Sequence, residues 1–328
     1  MAAIRYGIAG RPVHHSLSPL LTALVLDHLG LPCDDKHLTM ELLDVSTLPD
    51  ALAWGYAGAI PESVPWAYTD ASFGMFRTRA LIQKAVEAAR SIEAPHSEVL
   101  PTNDAPFEPR QHQAAGLPTR LFDSEIWMNL TSPLKHQLAS GAVMCLDDSM
   151  ETKSVNALRW DGRGWWCAGL DGEGVREVLH HHGMEPQTHV LGLCGGGGGA
   201  RSTASAWTAQ GGRLNVLKGR RPLEEGPWVS NITAEEAHCV VDFDGTVEPE
   251  SDARLVLKAA YTPMTGSLEA RLKQLSSPHL DGRWLLVAQH LACWRHLWAP
   301  ERREELPSLS LLLTRLLYAE TVLGEYAS

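Results

Sequence analysis

Five consecutive glycines, Gly195–Gly199, stand between an apolar run and an alanine-rich stretch opening at Ala200. Glycine lets a backbone approach a pyrophosphate closely, and a helix that follows offers free N–H groups and a positive dipole end. Residue types and spacing there fit a dinucleotide. About twenty residues on, Lys218-Gly219-Arg220-Arg221 supplies three cations, with no acid before Glu224. An acid would suit the ribose hydroxyls of NAD, whereas cations suit the 2′-phosphate of NADP(H). The bland readings, a flexible turn and a solvated basic loop, stay open. His180-His181-His182 tempts a metal reading, but adjacent helical residues point about 100° apart and cannot converge on one ion, so no metal is expected.

The elements that must position these groups follow from patterning. Ile4 to Ile8 reads as a strand. Ser18 and Pro19 open a helix whose apolar face is Leu20, Leu21, Leu24, Val25 and Leu29. Further helices are expected over 78–92 and 133–139, and a strand over 126–130. A hairpin over 159–167 turns at Asp161-Gly162, and 175–182 is a short helix. The alternation then becomes that of a parallel sheet: strand 189–193, glycine loop, helix 200–210, strand 213–217, and strands over 239–243 and 255–257. Helices over 285–298 and 308–325 close the chain. The fold class is α/β, with a Rossmann-like parallel-sheet domain beside an α/β substrate domain.

At 328 residues the length suits two domains, and 28 basic against 39 acidic residues give a net charge of −11. That balance argues against a general nucleic-acid partner, and no apolar run reaches a membrane span of about 20 residues. Six cysteines without a C-x-x-C pair read as free thiols in a reducing compartment, so a cytoplasmic protein is expected. Half of the aromatic residues are Trp, 11 against 6 Tyr and 5 Phe.

Several separated motifs, in order, resemble the shikimate dehydrogenase family: Ser16-Leu17-Ser18-Pro19 its S-x-S-P, Asn129 to Lys135 its N-x-T-x-P-x-K, Ser154 to Leu158 its A-x-N-T-L. Gly169 to Gly174 is similar to N-T-D-G-x-G, Tyr261-Thr262-Pro263 to Y-x-P, and Leu286 to Gln289 to L-V-x-Q. The resemblance implies a discontinuous substrate domain, 1–171 with 282–328, enclosing a dinucleotide domain, 172–281. It implies reversible, NADP(H)-dependent hydride transfer on a shikimate- or quinate-like cyclic carboxylic acid, in a monomer or homodimer. Carried over, Ser16 and Ser18 hold the substrate carboxylate; Thr131, Asn156, Tyr261 and Gln289 hydrogen-bond the substrate; Lys135 and Asp171 form the catalytic pair. Hydride addition to a carbonyl creates an alkoxide and needs a proton donor, which a lysine oriented by a carboxylate can be.

Four departures accompany the resemblance. The stretch from Ser18 to Asn129 is long, with its surplus at about 55–120, expected beside the substrate pocket. Gly169-Leu170 replaces Asn-Thr before Asp171. The glycine loop is extended, with Gly195, Gly196, Gly197, Gly198, Gly199 and Ala200 as its expected cofactor contacts, joined by Lys218, Arg220 and Arg221. Trp284 stands where the family has a glycine against the nicotinamide; it either stacks on that ring or fills its space. These departures point to a modified analogue as substrate, or to a non-redox descendant that binds a small acid or serves as a pathway partner.

Overall fold

A computed structural model describes residues 3–33, 36–57, 66–69, 71–73, 75–96, 100, 106–112, 116–247, 253–264, 266–276 and 278–325. The first half alternates β1 (Ala3–Gly10), α1 (Ser18–His28), β2 (Leu38–Asp44) and α2 (Leu48–Ala57), then the small hairpin β3 (Trp66–Thr69) and β4 (Ala71–Phe73), and α3 (Met75–Arg90). It continues with β5 (Ser124–Leu130), β6 (Val143–Cys145), β7 (Ala157–Trp160), β8 (Trp165–Ala168) and α4 (Asp171–His181). The second half follows as β9 (Val190–Cys194), α5 (Gly198–Thr208), β10 (Arg213–Leu217), β11 (Cys239–Asp242), β12 (Leu255–Lys258), α6 (Leu268–Gln274), β13 (His279–Leu280), α7 (Arg283–Cys293) and α8 (Leu309–Glu325).

Two sheets organise these elements. One is mixed, in the order β2-β1-β5-β7-β8-β6, and the other is β10-β9-β11-β12-β13, parallel throughout. In the second sheet β9 is followed by β10 on one side and flanked by β11 on the other. The crevice outside the strand ends at such a reversal is where open α/β sheets bind ligands. In the first sheet β1 runs parallel to β5, so both release their chains at the same sheet end. Thr131 N–H donates to the Ala9 carbonyl and Arg11 N–H to that of Ser132, each at 2.8 Å, which fixes the two loops together.

α4 ties the halves, packing on both α5 and α7. Small residues allow the approach: a Cβ at Gly172 would lie 2.1 Å from the Ser202 carbonyl, and one at Gly174 2.6 Å from the Gln289 nitrogen. α7 and α8 return to pack against α1, and α8 also meets α3. Arg283 and Glu320, both almost wholly buried, pair at 2.8 Å between α7 and α8.

Three expectations need correction. The helix expected over 133–139 is a single 3₁₀ turn, Leu134–His136. The chain then gives Gln137 to the start of α2, where its side chain accepts from Leu48 N–H and donates to the Ser46 carbonyl. The 175–182 helix begins earlier, so Asp171 lies in its first turn. The helix over 285–298 ends at Cys293 and continues as a π-helical turn, Trp294–Trp298.

Candidate active site

The loops after β1 and β5 and the glycine loop after β9 face one cleft of about 430 Å³. Ser16, Ser18, Asn129, Thr131, Lys135 and Asp171 line it from the first half, Gln289 from α7 and Tyr261 from the turn after β12. Gly197 to Ala200, Arg221, Phe243 and Asp244 line it from the second. The sequence scatters these groups over more than 270 residues, and the fold gathers them because parallel strands deliver their C-terminal ends to the same edge.

At its centre Lys135 Nζ lies 2.5 Å from Asp171 Oδ2. Asp171 is buried and the lysine about one-fifth exposed. The carboxylate sits in the first turn of α4, where the helix dipole favours negative charge. Its other oxygen accepts from Asn156 Nδ2 at 2.9 Å, and the same nitrogen donates to Gln289 Oε1 at 2.8 Å. Asn156 Oδ1 accepts from Leu170 N–H at 2.7 Å. Asn156 is buried and absent from the cleft wall, so its amide spends its bonds orienting Asp171 and Gln289.

The Ser-x-Ser turn opens α1 without a capping side chain. Leu17 occupies the N-cap, and Ser16 Oγ accepts from Ser18 N–H at 3.2 Å. Tyr261 closes the turn from the far half, its hydroxyl accepting from Leu17 N–H at 3.2 Å. Burial raises the Tyr261 pKa, which keeps the phenol protonated. Below the wall, Tyr6 donates to Asn129 Oδ1 at 2.6 Å.

The glycine loop shows a cradle suited to a phosphate. Gly197 precedes α5, no side chain caps the helix, and a Cβ at Gly197 would meet nothing within 4 Å. Gly198 lies against Lys135, with 2.9 Å between an added Cβ and the lysine Cβ, so the helix start and the lysine share the cleft. Gly195 and Gly196 lie outside the wall and shape the loop. The first has a φ of +117°, and a Cβ on the second would come within 1.9 Å of the Pro222 carbonyl. Of the three cations, Arg221 reaches the cleft and Lys218 is exposed. Arg220 turns its guanidinium onto the Asp244 carbonyl.

Trp284 is not in the cleft. It is fully buried, donates from its indole to the Leu275 carbonyl at 2.7 Å and packs on His181 and His182. One turn of helix places Leu285, Leu286 and Gln289 on the cleft side instead, with Gly282 beside them. The described residues of the 55–120 region are not in the cleft wall either. α3 packs on α1 and α8, and the 106–112 loop lies along α4, where Arg110 N–H donates to Glu173. Sequence reasoning left out Asn129, Phe243 and Asp244. Asn129 opens the N-x-T motif, and the other two follow β11 directly, where the strand-end rule points.

No family model matches the sequence. A shikimate dehydrogenase (NADP(+)) of Stenotrophomonas maltophilia is 27% identical over 159 residues, 48% of this chain and 56% of the relative. One from Anaeromyxobacter is 24% identical over 254 residues, 76% and 65% respectively. The chain thus spans less than two thirds of the length of these curated relatives. Among solved structures, shikimate 5-dehydrogenase of Thermus thermophilus in complex with shikimate superposes with a TM-score of 0.56 at 19% identity, covering 97% of this chain and 99% of that one. The fold is that of shikimate dehydrogenases. The Mycobacterium tuberculosis shikimate dehydrogenase agrees, at a TM-score of 0.54 and 17% identity over 96% of this chain and 98% of that one. The resemblance read from the motifs therefore holds, and the low identities mark a divergent relative of the shikimate dehydrogenases.

Proposed function

We propose that this chain is an NADP(H)-dependent oxidoreductase that interconverts a ring ketone and alcohol on a shikimate- or quinate-like cyclic carboxylic acid. The observation that carries the reading is the Lys135–Asp171 pair, set in one cleft between the Ser-x-Ser turn and the uncapped start of α5. A solved shikimate 5-dehydrogenase of Thermus thermophilus, complexed with NADP(H) and shikimate, has this fold, at a TM-score of 0.56, 20% identity and 96% coverage of this chain and 99% of that one. In this reading residues 1–171 with 282–328 hold the substrate, and 172–281 hold the cofactor.

The N–H groups of Gly198, Gly199 and Ala200 would hold the pyrophosphate, with Lys218 and Arg221 meeting the 2′-phosphate and Arg220 closing the loop beneath. NADP(H) supplies or accepts the hydride. Ser16 and Ser18 anchor the substrate carboxylate, and Thr131, Tyr261 and Gln289 meet the ring hydroxyls. Lys135 Nζ gives its proton to the reacting oxygen as charge develops there, and takes one back in the alcohol-to-ketone direction. Asp171 holds the ammonium at the required angle, and Asn156 holds Asp171.

Gly169 and Leu170 do not line the cleft, and Leu170 is wholly buried, so this departure does not bear on the substrate. Of the two departures behind the non-redox reading, Trp284 and the extended glycine loop, the first is buried away from the cleft, which favours the redox reading. Titrating the protein with NADPH and NADH while following Trp fluorescence separates the two. Saturable quenching by NADPH, weaker with NADH, is expected; no saturable response to either nucleotide contradicts the proposal.

A further inference from the structure

Outside the cleft, two thiols meet at the edge of the first sheet. Cys145 on β6 and Cys167 on β8 are direct register partners, and their sulfurs are 3.1 Å apart. β6 is the edge strand, and Cys145 is half-buried whereas Cys167 is buried. Neighbouring strands lie about 4.8 Å apart, within the range of Cα separations a disulfide spans. Cys145 Sγ also meets the Ser149 hydroxyl at 3.3 Å and lies 3.6 Å from Asp147 Oδ1. We propose that Cys145 and Cys167 are a reversible oxidation site, converted by a peroxide into an intrachain disulfide.

The chemistry balances with one equivalent of hydrogen peroxide. The Cys145 thiolate attacks one peroxide oxygen, forming a sulfenic acid and releasing hydroxide, which takes up a proton. The Cys167 sulfur then attacks the sulfenic sulfur, and its proton leaves with the departing hydroxyl as water. Two thiols and one peroxide give one disulfide and two waters. The roles follow from exposure: the outer sulfur meets the oxidant and the inner one resolves it. Hydrogen bonding from the Cys167 thiol lowers the Cys145 pKa to about 7 against the opposing charge of Asp147, and raises that of Cys167 in turn, so the outer sulfur carries the thiolate. Burial raises the pKa values of Cys239 and Cys293, which disfavours their thiolates.

The pair also sits beside the candidate active site. β8 leads directly into Gly169, Leu170 and Asp171. Asp147, two residues beyond Cys145, accepts from Gly169 N–H at 2.9 Å. A bond between the sulfurs would staple that junction.

The experiment treats the full-length protein, carrying Cys33→Ser to remove an exposed thiol, with hydrogen peroxide, followed by intact mass and non-reducing peptide mapping. The expected result is a loss of about 2 Da, one cross-linked peptide joining Cys145 to Cys167, and reversal by dithiothreitol. Adding Cys167→Ser should arrest oxidation at a dimedone-trappable sulfenic acid on Cys145, a gain of about 16 Da before trapping. Mapping of the Cys33→Ser protein decides the matter even if the added substitution prevents folding. Oxidation of Cys145 with Cys167 left as a thiol, or no cross-link at a dose that oxidises other cysteines, overturns the proposal. The readout is independent of catalysis, so its failure leaves the oxidoreductase reading standing.

Discussion

At the scale of single residues, the site is a chain of oriented groups: Gln289 and Asp171 on Asn156, and Lys135 on Asp171. Replacing Lys135 with Ala should lower kcat by about 100-fold or more, the usual worth of a positioned proton donor. NADPH affinity, read by fluorescence, should change little. Asn156→Ala should act through Asp171 and reduce kcat more than it raises KM, because the amide touches no cleft surface. For the cofactor, Arg221→Ala should reduce the preference for NADPH over NADH more than Arg220→Ala does, since Arg220 is committed to Asp244. Kd values for both nucleotides measure this. Lys135 and Asp171 were legible in sequence because each lies in a motif. The burial of Asn156 was not, because a one-dimensional pattern does not say which side of a carboxylate an amide occupies. Trp284 shows the same limit, since α7 turns its ring about 100° away from Leu285.

At the scale of elements, α4 is the part that both halves lean on. Gly172 and Gly174 give it backbone contact with α5 and α7. A methyl at Gly174 meets the main chain of Gln289, which cannot swing aside as a side chain can. Gly174→Ala should therefore destabilise the fold by about 1–3 kcal/mol, seen as a lower denaturation midpoint. The Arg283–Glu320 pair makes a contrasting case. Glu320→Gln removes one anion from the buried Arg283, which keeps Asp281 at 2.9 Å, and should cost about 1–3 kcal/mol. Denaturant titration compares the two variants directly. β1, β5, β7 to β12 and the helices α1, α3, α5, α7 and α8 were legible because their apolar periods are strong. The 133–139 segment misled because Pro133 signals a helix start, whereas Gln137 is claimed by the opening of α2. β2, α2, β3, β4, β6, α6 and β13 were missed for want of a clear period in short, mixed stretches.

At the scale of the whole molecule, the negative net charge coexists with a cleft where Lys135 and Arg221 face the proposed anionic ligands. The tryptophan excess proves to be mostly core: Trp127, Trp294 and Trp298 pack on one another, with Trp298 against Tyr6 and His290. That packing has a consequence in pH. Burial lowers the His290 pKa to about 3 and that of His182 to about 4. Both are neutral when folded, whereas in the unfolded chain they take up protons below about 6.5. The unfolded state then binds more protons, so stability is full above that value and is lost as pH falls toward 4. Thermal midpoints should fall across that window, and His290→Gln should flatten the slope. The α/β plan was legible from the alternation of elements, while the position of the described residues of the 55–120 surplus, on α1, α4 and α8 and away from the cleft, was not. Only packing decides where a long connection lies.

In the proposed function one cleft joins a nicotinamide cofactor to a cyclic hydroxy acid through Lys135. Its most direct test follows reduced-nicotinamide absorbance with NADP+ and a panel of shikimate, quinate and their amino analogues, for the wild type and Lys135→Ala. Steady formation of NADPH with at least one acid, and its loss in the variant, is the expected result. Turnover that survives Lys135→Ala, or a folded wild type that binds NADPH and a panel acid yet forms no NADPH, would contradict it.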